Sequence, residues 1–123
     1  MTSPSDARRR LARRRLTADR SETLERLSGL ERERTGIVEA AESANSDDEH
    51  DPEGATIAFE REHTTALLER ARQHLAEIDA ALRRLDEDGY GTCTACGELI
   101  AADRLAVRPT ATTCIRCASR PRP

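Results

Sequence analysis

Four cysteines are the residues of this sequence whose type and spacing suit a defined chemistry. They form two pairs, Cys93 with Cys96 and Cys114 with Cys117, in the pattern C-x2-C-x17-C-x2-C. Each C-x-x-C turn presents two thiolates on one side, and two such turns supply the four sulfurs of a tetrahedral zinc site. The alternatives are an iron–sulfur site and a redox dithiol, of which the dithiol needs only one such pair. Four thiolates leave no open coordination position, so the spacing predicts one structural Zn2+ per chain.

The segment that carries the cysteines has few large apolar side chains of its own. They are Leu99, Ile100, Leu105, Val107 and Ile115. Because so small a set cannot stabilise a fold alone, the metal is expected to supply the folding free energy. Gly97 directly follows Cys96 and is expected to take the positive φ that the metal-binding turn needs.

Two helices must position this module. Leu16, Thr23, Leu30 and Ile37 recur every seven residues, which predicts a helix of coiled-coil type from about Ser5 to Ala44. Leu24 is expected to widen its apolar stripe. The second helix has a regular seam of eight residues: Ile57, Thr64, Leu68, Ala71, Leu75, Ile78, Leu82 and Leu85.

The boundaries of the second helix follow from its flanking residues. Asp51-Pro52-Glu53 is a typical helix start, and Gly89 is the expected stop. Two long helices joined by a short polar loop run antiparallel. We therefore predict a mainly α fold: a long antiparallel two-helix coiled-coil hairpin over residues 1–88, with its tip at about 45–53. Residues 89–123 form a small C-terminal C4 zinc finger with a short tail.

The composition excludes several classes of protein. The chain of 123 residues has one Phe, one Tyr and no Trp, too few large side chains for a compact globular core of ordinary size. No run of 18 apolar residues and no secretion signal is present, so a cytoplasmic protein without a membrane contact is expected. The sequence has no Ser/His/Asp set, open metal site or phosphate loop, and we expect no enzymatic activity.

The charge is unevenly distributed around a net value of −3. Residues 7–20 contain seven Arg, which we interpret as a helix end with solvated charges; the alternative is a patch for nucleic acid or for an acidic partner. Residues 39–53 contain seven acidic residues and no Lys or Arg. Without further information, this acidic loop is interpreted as a solvated turn.

Residues 90–117 resemble the C4 finger of the DksA/TraR family of bacterial transcription regulators. The resemblance rests on Tyr90-Gly91-Thr92-Cys93, Cys96-Gly97, Ile100, Arg104-Leu105, Arg108-Pro109-Thr110-Ala111, Cys114 and Cys117. A hairpin with an acidic tip and a finger at its base extends the resemblance to residues 5–120. Six residues follow Cys117, so a short form of the family is expected.

The resemblance implies a regulator that binds RNA polymerase directly and does not bind DNA. Members of the family insert the hairpin into the polymerase secondary channel, where tip carboxylates act close to the active-site magnesium. The family tip motif D-x-x-D-x-A makes Asp48 and Asp51 the candidate tip residues, with Glu53 in place of the Ala. A shifted register from Asp51 to Thr56 keeps the Asp-Pro pair and loses the second Asp.

The best-known members also respond to the alarmone ppGpp through basic residues near the finger. Arg108 matches one of these residues and is a candidate contact with the alarmone or the polymerase. Glu77 and Ala118 stand at the positions of the other two. A reversed charge and a lost charge should largely abolish phosphate binding there, so a weak or absent ppGpp response is expected.

Two other functions are compatible with the same residues. One is a zinc-finger module that binds DNA or RNA through Arg104, Arg108, Arg116, Arg120 and Arg122. The acidic net charge and the scarcity of aromatic residues for base stacking argue against it. The other is a coiled-coil interaction protein whose seam pairs with another chain; we expect a monomer instead.

Overall fold

The structure, a computed structural model, describes residues 5–45 and 52–121. The described residues form two long helices and two short ones: α1 over Asp6–Asn45, α2 over Pro52–Asp86, α3 over Ala102–Val107 and α4 over Ile115–Ala118. Within these residues, β pairing is limited to one isolated antiparallel bridge, between Thr92 and Leu99. The predicted mainly α fold, with two long packed helices and a C-terminal cysteine module, is confirmed.

The C-terminus of α2 differs in one detail from the sequence prediction. Asp88, and not Gly89, takes the left-handed conformation, with φ 61°. The N–H group of Gly89 donates to the carbonyl of Arg84 over 2.8 Å, the bond that closes this type of helix end. Asp tolerates the left-handed region because its side chain is short and polar, and here its carboxylate is held by Arg9.

The chain packs as two compact units, and the first, the finger unit, comprises residues 5–21 and 76–121. Its core is formed by Ala12, Leu16, Ile78, Ala81, Leu85 and Tyr90, with Leu82 and Leu105 packed against them. Leu16, Ile78 and Leu85 are fully buried, as the period of seven predicts. The pairing of Arg13 with Asp86 and of Arg20 with Asp79 shows that the two helices run antiparallel in this unit.

Three of the arginines near the start of α1 are paired with carboxylates of the finger unit. Arg9 contacts Asp88, Arg13 donates to Asp86 over 2.8 Å, and Arg20 donates to Asp79 over 2.7 Å. These three side chains remain partly exposed to solvent, but they are also ion-paired, which the interpretation of this stretch as a helix end with solvated charges did not include. Once α1 and α2 are aligned antiparallel, the basic start of one helix meets the acidic end of the other.

The second unit, the hairpin unit, comprises residues 22–45 and 52–75 of the described chain. Leu27, Leu68 and Ala71 form its buried cluster, and Leu30 and Leu75 pack against it. Thr23 and Thr64 are buried too, as their seam positions predict. Leu24 is 40% exposed, so the prediction that it widens the apolar stripe is wrong. Among the described residues, the helices lack an apolar stretch that could span a bilayer.

Candidate metal centre

The first cysteine pair lies in a tight turn closed by backbone hydrogen bonds. The Cys93 N–H donates to the Glu98 carbonyl over 2.8 Å, and the Gly97 N–H donates to the Cys93 carbonyl over 2.9 Å. Gly97 has a φ of 80°, which confirms the positive φ predicted from its position after Cys96. This turn places the thiols of Cys93 and Cys96 on the same side.

The second cysteine pair is held by the short helix α4. Cys114 is the N-cap residue, with extended backbone angles, and Cys117 lies inside the helix. The Ala118 N–H donates to the Cys114 carbonyl over 2.9 Å. One helical turn therefore separates the two cysteines and keeps their side chains close.

Hydrogen bonds hold the two turns against each other. The Thr94 N–H donates to the Thr112 carbonyl over 2.8 Å, and the Thr94 hydroxyl contacts the same oxygen at 3.2 Å. Arg104 of α3 donates through Nε to the Thr113 carbonyl over 2.9 Å. These bonds fix the backbone immediately before Cys114, so the second pair faces the first.

The four thiols form a compact cluster whose size fits a zinc ion. Their Sγ atoms all lie within 4.8 Å of one another, and those of Cys96 and Cys114 are 3.8 Å apart. A tetrahedral site with zinc–sulfur bonds of about 2.3 Å has sulfur–sulfur edges of about 3.8 Å. Cys93 is 2% exposed, and Cys96 is exposed to solvent. All four sulfurs are used in such a site, so the arrangement suits a structural ion.

The thiols of the cluster perturb one another's ionisation. Backbone hydrogen bonds, first from Cys114 and then from Cys96 and Ala95, favour the thiolate and lower the pKa of Cys93 to about 6. A backbone hydrogen bond from Cys117 likewise lowers the pKa of Cys114. The pKa of Cys117 is raised to about 12, mainly because its thiol forms a hydrogen bond with the Cys114 side chain. At Cys93 and Cys114 the backbone thus stabilises the thiolate, the form that binds a divalent metal.

Two side chains that the sequence analysis did not single out as anchors attach the cysteine module to the helices. Arg84 of α2 donates to the carbonyls of Gly89 over 3.0 Å and Thr92 over 2.6 Å. Tyr90 is buried, and its hydroxyl donates to the Pro109 carbonyl over 2.8 Å. The presence of the chain's one Tyr beside the first cysteine turn was the available signal. Their acceptors are backbone carbonyls, which sequence patterns do not reveal.

Among the described residues, the remaining predicted site residue, Arg108, lies outside this cluster. Arg108 is exposed at the C-cap of α3, where its backbone N–H donates to the Arg104 carbonyl over 2.7 Å. Asp48 and Asp51 lie outside the described residues. Their role at the hairpin tip therefore stays a prediction.

Comparison with known proteins assigns the family. Residues 89–121 match the family model of the prokaryotic dksA/traR C4-type zinc finger. The structure is also similar to that of transcription factor DksA2 from Pseudomonas aeruginosa, with a TM-score of 0.79 and 32% sequence identity over 94% of this chain and 84% of the DksA2 chain. The chain belongs to the DksA/TraR family. This membership confirms the resemblance seen in the sequence, and the zinc-finger class of the family confirms the predicted zinc cofactor.

Curated members of the DksA/TraR family give the same assignment over shorter spans. The chain is 41% identical over 69 residues to the RNA polymerase-binding transcription factor DksA of Haemophilus influenzae, covering 54% of this chain and 48% of the relative. It is 32% identical over 99 residues to the protein of the same name from Caulobacter vibrioides, covering 80% and 62%. The chain thus spans about half to three fifths of the length of these two curated relatives.

Proposed function

We propose that this protein binds RNA polymerase and regulates transcription without catalysing a reaction. The observation that carries the proposal is the similarity to DksA2, which includes both the helices and the cysteine module and covers 94% of this chain. Two relatives are named RNA polymerase-binding transcription factors, and we extend that activity to this chain. The site of action is then the compartment of the polymerase, the cytoplasm.

The hairpin is the part that we propose to enter the polymerase secondary channel. Its tip would carry Asp48 and Asp51 to the neighbourhood of the active-site magnesium. Carboxylate oxygens and a divalent cation attract each other strongly at short range, so the two side chains can compete for the ion or redirect it. The buried seam of the hairpin unit supports this role, because a delivered tip needs a rigid support.

The finger has a structural part in this proposal. Cys93, Cys96, Cys114 and Cys117 hold one Zn2+, which keeps the segment after α2 folded. Arg84 and Tyr90 attach this segment to the end of α2. This attachment supports the proposal that the segment and the adjacent helices present one surface to the polymerase. Arg108 is exposed and is the proposed contact with the polymerase.

A direct binding measurement tests the proposal. Zinc-loaded protein carrying a fluorophore at its N-terminus is titrated with core RNA polymerase and followed by fluorescence anisotropy. We expect saturable binding, with unlabelled protein as a competitor, and no comparable signal with duplex DNA alone. Binding to DNA but not to core polymerase would instead favour the zinc-finger nucleic-acid module.

The tip is tested separately in reconstituted transcription. The Asp48→Asn, Asp51→Asn double variant is expected to lose its effect on transcript yield while keeping nearly all of its polymerase affinity. The matched control is Asp47→Asn with Glu49→Gln, which removes the same charge from neighbouring positions and should keep the effect. Equal activity of all three proteins would contradict the role of Asp48 and Asp51.

Regulation by ppGpp is expected to be weak or absent in the same assay. Glu77 and Ala118 replace two basic residues of the best-known members, and Arg108 alone provides little phosphate affinity. Adding ppGpp should therefore change the protein's effect on transcription very little. Strong synergy between the two would contradict this expectation.

A further inference from the structure

A cleft with a volume of about 580 Å³ lies in the finger unit, apart from the cysteine cluster. Its apolar wall includes Leu11, Tyr90, Leu99, Ile100, Leu105 and Pro109. Cavities of roughly 300–1,000 Å³ are typical of small-molecule sites. The cleft is therefore large enough for one small organic ligand.

Part of the cleft wall is apolar surface that the fold leaves in contact with water. Leu11 is 38% exposed and Leu99 is 44% exposed, and both line the cleft. Ile100 is 5% exposed and Tyr90 is 5% exposed, so the deeper wall is buried and fixed by the fold. A ligand with an apolar body would cover Leu11 and Leu99 and remove their apolar area from water.

The cleft also carries two arginines that form no ion pair with any described carboxylate. Arg8 and Arg15, on α1, line it. Arg9, Arg13 and Arg20 of the same helix are paired with acids, whereas no ion pair joins Arg8 or Arg15 to a carboxylate of the described residues.

One acidic residue limits this charge. Asp103 of α3 lines the cleft without an ion pair among the described residues, so the lining carries one net positive charge. The Tyr90 hydroxyl is already used, since it donates to the Pro109 carbonyl over 2.8 Å. The guanidinium groups of Arg8 and Arg15 are thus the groups available to an anion.

We infer that this cleft binds a small organic anion with an apolar or aromatic body and a single anionic group. Arg8 and Arg15 bind the anionic group, and Leu11 and Leu99 cover the body. A single charge fits because Asp103 repels a second one. Arg108, the proposed polymerase contact of this unit, does not line the cleft, and the test of the cleft needs no polymerase.

The probe is 1-anilinonaphthalene-8-sulfonate, which has an aromatic body and one sulfonate and fluoresces when bound in an apolar site. Zinc-loaded full-length protein should bind it saturably with one site per chain. Arg8→Gln combined with Arg15→Gln should weaken binding about tenfold, because the loss of each exposed charge pair lowers the affinity about two- to fivefold. Asp103→Asn should tighten binding about threefold, because it removes the opposing charge.

The matched control is Arg10→Gln combined with Arg14→Gln, which removes two charges from α1 outside the cleft and should leave the affinity unchanged. N-phenyl-1-naphthylamine, the same type of body without the sulfonate, should bind the wild type and the Arg8, Arg15 double variant equally. Displacement of the probe by decanoate would indicate a fatty carboxylate, and displacement by 2-naphthoate an aromatic carboxylate. The inference is overturned by non-saturable binding, by equal weakening in both double variants, or by failure of both competitors.

Discussion

Replacing Leu68 by alanine should destabilise the hairpin unit more than any change at a nearby exposed apolar position. Leu68 is 0% exposed and packs with Leu27 and Ala71, with Leu30 and Leu75 beside them. Every neighbour in this cluster comes from α1 or α2. The side chain therefore contributes directly to the association of the two helices.

The magnitude follows from burial. The change from Leu to Ala removes three carbon atoms, which corresponds to about 2.4 kcal/mol at about 0.8 kcal/mol for each buried methylene. A residual cavity increases the cost to about 3 kcal/mol. For a chain of this size, with about 4 °C for each kcal/mol, Tm should fall by about 12 °C.

The assay is urea denaturation followed by far-UV circular dichroism, with Leu24→Ala as the matched control. Leu24 lies on α1 and is 40% exposed, so its truncation should cost less than about 1 kcal/mol. The slope of free energy against urea should stay the same in both variants. A loss at Leu68 as small as the loss at Leu24 would refute the assignment of the buried seam.

Three further predictions concern the finger unit. Cys93→Ser or Cys114→Ser should lower the zinc content from one ion per chain to almost none. Because structural zinc is worth on the order of 10 kcal/mol of folding free energy, Tyr90 fluorescence should change while most of the helical circular dichroism remains. Full zinc retention would contradict this prediction. Burial raises the pKa of Tyr90 above its ordinary value of 10.0. The neutral phenol therefore stabilises the fold fully below pH 10.0, and this stabilisation is lost as the pH rises through the folded-state pKa. Tyr90→Phe should lessen the alkaline loss of stability, and an unchanged pH profile would argue against this role of Tyr90. A double-mutant cycle on Arg20→Gln and Asp79→Asn should give a coupling free energy of at most about 1 kcal/mol, because both side chains are partly exposed. This coupling free energy should fall as the salt concentration rises. A value insensitive to salt would contradict a solvent-screened ion pair.

Much of the fold could be predicted because its signals are local and periodic. The seven-residue spacing that begins at Leu16 identified buried positions, since residues at that interval share one face of a helix. The second helix begins at Pro52, inside the predicted Asp51-Pro52-Glu53 start. The cysteine spacing identified the cluster for a similar reason, because each pair lies within one short turn.

The features that sequence analysis missed depend on how distant segments align. The ion pair of Arg20 with Asp79 requires the register between α1 and α2, which a single-helix pattern does not contain. Arg84 and Tyr90 bond to backbone carbonyls, which carry no sequence signature. Val107 and Ile115 were expected among the few apolar residues of the finger and are 88% and 67% exposed; α3 and α4, which carry them, have no buried residue.

Site-specific photocrosslinking from the hairpin tip examines whether the protein acts inside RNA polymerase. A photoreactive amino acid replaces His50, between Asp48 and Asp51, in zinc-loaded protein bound to core RNA polymerase. We predict crosslinks to the polymerase chains that line the secondary channel near the active site, and their loss when excess unmodified protein competes. Crosslinks confined to the outer surface of the polymerase, or none at all in a complex whose binding is established, would contradict insertion of the tip.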